Sequence, residues 1–568
     1  MKPNTQKYLA ASKLDPRLLE GASQVKPGIQ RVIVIARDDP GGLGAPMRVG
    51  YSFKTGFGFI AVAFIDASNI PTLASDPDVV RVMPDIRLNY NETRLGPEEV
   101  GPQTDMFRLR QITGTDEVNS TYGIDGRGFR VAIVDTGVDF GNPDLRDALA
   151  RDTDGMPIAI DPDEQGLVLT NTTFAANVTA TGAVANFSKP LSTHMPPNVT
   201  SNVYVTPSGV YLNLSRNDLG TSVSYWFGYG VEQVVLKKDF KIGNDSSHFI
   251  ASKAGLYSFG LINQSTYYGV DHPFPALVVA SMTADIYDTV YVDLSTAYAN
   301  WTGSFKPDYS FYDEEPHRLG DGTEYLAADY TGDGVPDISA GLLGARVLDI
   351  WGVFTGRKFK VDPQFFIWGV REGVPLPGLD PNGTFFGVMF DFYSHGTLCA
   401  SSIAGRGKTG YDVYDNGTLH GLAGVAPGAS IIPAKALWFG DVLYAWMWVS
   451  GFDYNPEYRS WVYTGRHKAD VVSNSWGISE WPLLDMGVGY DVISILESAL
   501  TVPGHLSPNY PGTVFVHAGG NGGPGFGTVT VSASSSLAIS VGASTSFHWA
   551  ETVGGEYPAY GGASDFQD

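Results

Sequence analysis

The feature that most constrains the fold is a set of short, wholly apolar runs. Arg130-Val131-Ala132-Ile133-Val134 lacks the polar alternation of a strand with one wet face, so both of its faces need cover, as in a parallel sheet. Similar runs lie at 431–434, 471–473, 514–516 and 537–541, and helical stretches such as 491–500 separate several of them. Buried strands alternating with helices predict a doubly wound, mostly parallel α/β sheet. Between the first run and the others the rhythm breaks. Residues 150–387 are rich in Thr, Val, Asn, Tyr and Gly, with alternating stretches such as Val203-Tyr204-Val205-Thr206 and Thr289-Val290-Tyr291-Val292. A structureless loop of that length inside a compact domain would be exceptional, so the segment is expected to be a β-rich insertion.

The N-terminal part reads differently. After a polar lead-in (1–27), strands are expected at 31–36, 56–65 and 79–83, with a short helix over 68–74 started by Ser68 or Asn69. Such alternation over 28–92 predicts a small α+β module. The polar, broken stretch 93–117 is expected to be a linker. The remaining segments, 118–149 and 388–568, then make up the main domain.

Composition narrows the partners. The formal charge is −23, which disfavours nucleic acid because a phosphate backbone would be repelled. Cys399 is the single cysteine, so no intramolecular disulfide can form. No apolar run reaches the roughly 18 to 20 residues needed to span a bilayer, and the residues from Met1 to Lys7 lack the apolar core of a signal peptide. Glycosylation sequons nevertheless crowd together, among them Asn171, Asn177, Asn186, Asn198, Asn213 and Asn300. These point to an extracellular or cell-surface chain whose signal lies upstream of Met1.

In open α/β sheets, reactive groups gather beyond the carboxyl ends of the strands. Asp135 follows the first apolar run directly. Alone it is an ordinary loop or cap residue. His395 opens a stretch of small residues, Gly396-Thr397-Leu398-Cys399-Ala400-Ser401-Ser402, suited to a tightly packed helix; a lone histidine is more often structural, and Gly396 with Thr397 shifts that balance. Asn521 follows the strand 514–516 and is flanked by Gly520 and Gly522, which leave its amide uncrowded. A glycine-rich turn is the plainer reading there, and its place at a strand end favours a site.

Asp135-Thr136-Gly137, His395-Gly396-Thr397 and Gly520-Asn521-Gly522, in that order, resemble the marker motifs of the subtilisin-like serine peptidases. Gly421-Leu422-Ala423-Gly424-Val425-Ala426-Pro427-Gly428-Ala429 is similar to the family's loop after the histidine helix, and Ser473-Asn474-Ser475-Trp476-Gly477 to its substrate strand. Sedolisins share the fold but carry Glu where this chain has His395 and Asp where it has Asn521. The module 28–92 resembles the family's inhibitory propeptide, and the long insertion between Asp135 and His395 resembles those of the pyrolysin and tripeptidyl-peptidase II branch.

The resemblance implies a subtilisin-like sheet and acyl transfer on polypeptide substrates. Asp135 would orient His395, His395 would take the proton of a serine hydroxyl, and Asn521 would donate to the oxyanion. Ser475, Trp476 and Gly477 would pair with an extended peptide, and Ala518, Gly519 and Gly520 would line the P1 side chain. No cofactor is required, and the chain's own propeptide would be an intramolecular inhibitor. The family's nucleophile sits in Gly-Thr-Ser-x-Ala-x-Pro after the asparagine. Here the single Gly-Thr-Ser, Gly220-Thr221-Ser222, precedes His395 and lacks the Ala and Pro. A chain truncated before its serine, and therefore inactive, is the expectation. Cys399 is expected to pack as a small hydrophobe. Asp329, Asp333 and Asp337, alternating around glycines, form a candidate structural calcium loop without the distal Glu of an EF-hand. Two other functions fit less well: a catalytically silent, glycosylated binding protein, which has no need of all three motifs, and a cytosolic tripeptidyl-peptidase-like exopeptidase, which the sequons disfavour.

Overall fold

A computed structural model of the chain describes residues 12–15, 17–18, 28–56, 58–86, 105–161, 387–391, 393–412, 416–455, 458–477, 491–520 and 529–542. Within 168–344 it describes the backbone of separate strands and turns. The described residues fall into two compact units, one of 1–136, 143–150 and 395–568, the other of 137–142 and 151–394.

The first unit is built on a five-stranded parallel sheet in the order Ser430–Lys435, Arg130–Asp135, Val471–Asn474, Val514–Ala518, Ile539–Val541. The strand first in sequence thus lies inside the sheet, with later strands on both sides. This reversal of winding is where an open α/β sheet leaves a crevice at its carboxyl edge. Val131, Ala132, Ile133 and Val134 are buried, as an apolar run covered on both faces must be. Helices His395–Ala404, Phe439–Val449 and Val492–Thr501 belong to the same unit, so the predicted α/β fold is the observed one. The helix Phe439–Val449 carries no sequence signal of its own. All eleven of its residues are buried, and a helix apolar on every side shows no 3.6-residue periodicity.

The N-terminal module is a four-stranded antiparallel sheet in the order Met47–Thr55, Gly58–Asp66, Ile29–Ala36, Val79–Pro84. Met47–Thr55 was not among the expected strands. Its alternation is interrupted at Gly50, where the register shifts between Val49 and Tyr51; beyond that bulge Tyr51 and Phe53 are buried. The helix also starts differently from expectation. Asn69 makes no side-chain cap bond, and a 3-10 turn, Ala67–Asn69, precedes Ile70–Ser75. Asp66 does the capping instead, accepting from the Ser68 backbone N–H at 3.0 Å. Val32, Val34, Ala63, Ile65, Leu73 and Val82 form the core between helix and sheet.

The stretch expected as a linker contains two short helices, Asp105–Ile112 and Thr115–Tyr122. Arg110 joins them, reaching Asp116 at 2.7 Å and Asn119 at 2.8 Å. Their polar sequences owe their helicity to these contacts, which composition does not reveal.

Among the described residues, the second unit consists mainly of β-strands. A seven-stranded sheet runs Lys241–Ile242, Gly182–Asn186, Val168–Thr179, Leu256–Ser265, Asp271–Val279, Thr289–Val292, His317–Arg318, and two three-stranded sheets accompany it. Ala276, Leu277, Val278, Val290 and Tyr291 are buried. Asp329, Asp333 and Asp337 lie outside the described residues, as do Asn198, Asn300 and Ser222. No helix among the described residues is long and apolar enough to cross a membrane.

Candidate active site

Asp135 ends its strand at the carboxyl edge of the sheet and is 1% exposed. Its Oδ1 accepts the Thr136 backbone N–H at 2.7 Å and lies 2.7 Å from His395 Nδ1. Thr136, fully buried, accepts the Gly396 backbone N–H on its Oγ1 at 2.9 Å. A single Asp-Thr pair therefore fixes both the histidine ring and the first turn of the histidine helix, satisfying one of the orphan donors there. That helix packs through Gly396, Ala400 and Ala404, four residues apart on one face. The small residues seen in the sequence are the ones that let it approach the sheet.

The Asp135 carboxylate, helped by Cys399, outweighs the effect of burial on His395 and pushes its pKa up to about 10. The hydrogen bond to the charged form dominates this balance. Asp135 thus holds the imidazole through Nδ1, which fixes the orientation of the ring. Cys399 does not pack as a buried hydrophobe. It is half-buried, and its Sγ lies 3.9 Å from His395 Nδ1, on the ring nitrogen that Asp135 holds.

Two neighbouring strand ends complete the edge. Ser475 and Gly477 are half-buried after the strand Val471–Asn474. Trp476 between them is buried, and its indole N–H donates to the Val134 carbonyl at 2.9 Å. Its side chain therefore braces the strand that ends at Asp135 and is not open to the sheet's carboxyl edge. Ala518, Gly519 and Gly520 close the strand Val514–Ala518. Gly520 has φ +105°, and a Cβ on either Gly477 or Gly520 would lie within 2.4 Å of the Thr530 side chain. Thr530 also donates its backbone N–H to the Gly519 carbonyl at 2.9 Å. It is thus the wedge that holds the two segments together, and nothing in its local sequence marks it. Thr136, by contrast, is legible as the middle of the Asp-Thr-Gly motif. Asn521 lies outside the described residues.

The model of the subtilase family matches residues 390–566. Those residues belong to the subtilase family. Asp135 lies before the matched segment and joins the subtilase domain through the sheet, where its strand pairs with Ser430–Lys435 and Val471–Asn474. The chain is similar to pyrolysin of Pyrococcus furiosus, with 26% identity over 467 residues, covering 77% of this chain and 26% of pyrolysin. A crystal structure of tripeptidyl peptidase 2 aligns with 75% of this chain and 28% of its own, at a TM-score of 0.37 and 14% identity. The chain therefore spans about a quarter of the length of these proteins.

Proposed function

We propose that this chain carries the acid–base half of a serine endopeptidase precursor that hydrolyses peptide bonds. The observation that carries the reading is the 2.7 Å contact between buried Asp135 and His395 Nδ1 at the sheet's carboxyl edge. In this reading Asp135 selects the tautomer and stabilises the imidazolium, and His395 Nε2 accepts the proton of a serine hydroxyl as it attacks the peptide carbonyl. Asn521 donates to the oxyanion that forms. The backbone of 475–477 pairs with the substrate, and Ala518, Gly519 and Gly520 flank its P1 side chain.

The module 28–92 acts as an intramolecular inhibitor. Its support is a buried contact with the subtilase domain: Arg31 bridges Asp85, at 2.8 Å from its Nε, and Asp441, at 3.0 Å. Asp85 also accepts the Gly440 N–H at 2.8 Å at the start of the helix Phe439–Val449. Asp329, Asp333 and Asp337 would take a calcium ion through their carboxylates, with no part in the chemistry; no melting shift on calcium titration would dismiss that site.

The 568 residues hold no Gly-Thr-Ser-x-Ala-x-Pro after His395, so they supply no acyl-enzyme nucleophile. A fluorophosphonate probe is expected to leave the purified chain unlabelled, read by mass spectrometry of its serine peptides. Labelling of Ser222 or any other serine overturns this assignment.

A further inference from the structure

Two ionisable side chains that the peptidase reading does not use meet in the core of the subtilase domain. Glu497, on the helix Val492–Thr501, and His517, on the strand Val514–Ala518, are both wholly buried, with His517 Nε2 3.1 Å from Glu497 Oε1. Burying two such groups without a matched partner carries a large desolvation penalty, and apolar residues of the same size would fill the space as well. Burial pushes the Glu497 carboxyl up, against the pull of His517.

What surrounds His517 shows what the pair is tied to. Trp446 and Trp476 present edge-on contacts to the imidazole at 5.7 and 6.0 Å. Asn474 Nδ2 lies 3.5 Å from His517 Nε2 and donates to the Val516 carbonyl at 3.2 Å, while its Oδ1 accepts the Trp446 indole N–H at 2.8 Å. Trp476 in turn donates to Val134, the residue before Asp135. A chain of side-chain contacts thus runs from one helix to the three strand ends that carry Asp135, 475–477 and 518–520, through the close approach of Glu497 and His517, the Asn474 hydrogen bonds and the packing of Trp446 and Trp476 on the imidazole. Buried polar groups held this closely constrain how the elements around them can pack.

We propose that Glu497 and His517 are a positioning pair that fixes the substrate-binding backbone of 475–477 and 518–520 relative to Asp135. The inference rests on the reading of those strand ends as the peptide site. Substrate contact itself is not part of it: both side chains act through Asn474 and Trp476.

Amide hydrogen exchange on the full chain, followed by mass spectrometry, tests it. The double variant Glu497→Leu/His517→Phe replaces the pair by apolar groups of similar bulk. Its melting temperature is expected to hold, while exchange in 474–477 and 516–520 speeds up about tenfold. Glu497→Gln, which retains the contact without the charge, is expected to exchange there as the native chain does. Leu496→Ala, a cavity on the same helix, serves as the control for general destabilisation. The proposal fails if the double variant exchanges like the native chain in those segments. It fails equally if Leu496→Ala accelerates them to the same degree. The readout needs no catalysis, so failure here leaves the peptidase reading standing, and serine labelling would overturn that reading without touching the pair.

Discussion

At the scale of single residues, the site is set by a hydrogen bond whose strength depends on charge. Asp135 raises the pKa of His395 from an ordinary 6.5 to about 10, so the folded chain holds that proton more tightly than the unfolded one. By linkage the pair's stabilisation is fully present below about pH 6.5 and fades as pH rises through the folded value. Asp135→Asn removes the cause. The difference in melting temperature between native and variant chains is therefore expected to be largest near pH 6 and to shrink steadily towards pH 10. A difference that grows with pH would contradict the contact. Asp135 and His395 were legible because their neighbours in sequence, Thr136 and Gly396, are also their neighbours in space. Thr530 was not, since its partners, Gly477 and Gly520, come to it only through the sheet.

Among elements, close approach decides which substitutions the carboxyl edge of the sheet tolerates. Gly477 sits against Thr530 so tightly that an added Cβ would lie 2.3 Å from Thr530 Cγ2. Thr530 is nearly buried and bonded to Ala518 and Gly519, so it has little room to give. Gly477→Ala is expected to destabilise the chain by roughly 1 to 3 kcal/mol through overpacking, read from denaturant unfolding. A neutral result would show that the segment 475–477 can move away from 518–520. Element types were readable where periodicity was strong, as in Val492–Thr501, whose Asp491 cap accepts the Ser494 N–H at 3.0 Å. They were unreadable where burial is complete, as in Phe439–Val449, or where a bulge interrupts alternation, as in Met47–Thr55.

For the first unit as a whole, the decisive contact is the seam between the N-terminal sheet and the helix Phe439–Val449. Arg31, Asp85 and Asp441 have almost no exposure there. The Arg31 guanidinium also lies 4.6 Å from the centre of the Trp438 ring, and the Tyr51 hydroxyl donates to the Gly440 carbonyl. Removing Asp85 leaves Arg31 paired with Asp441 and takes the acceptor from the buried Gly440 N–H, at a typical cost of about 1 to 3 kcal/mol. Asp85→Ala is expected to lower stability by that amount and to make residues 28–86 the first to be cut in limited proteolysis. Unchanged cleavage order would mean that the module is held by its apolar face alone, through Tyr51 against Tyr444, Tyr454 and Trp461.

Local pattern and adjacent residues carried the class of sheet and the pair Asp135 and His395, so these could be read before any long-range contact was known. Folding in three dimensions is what turns Trp476 inward, wedges Thr530 between Gly477 and Gly520, brings Asp85 to cap a helix more than 350 positions away, and sets Glu497 against His517 in the core. Those contacts join elements far apart along the chain. Burial and the need to satisfy every buried polar group select them, and neither condition leaves a mark on local periodicity.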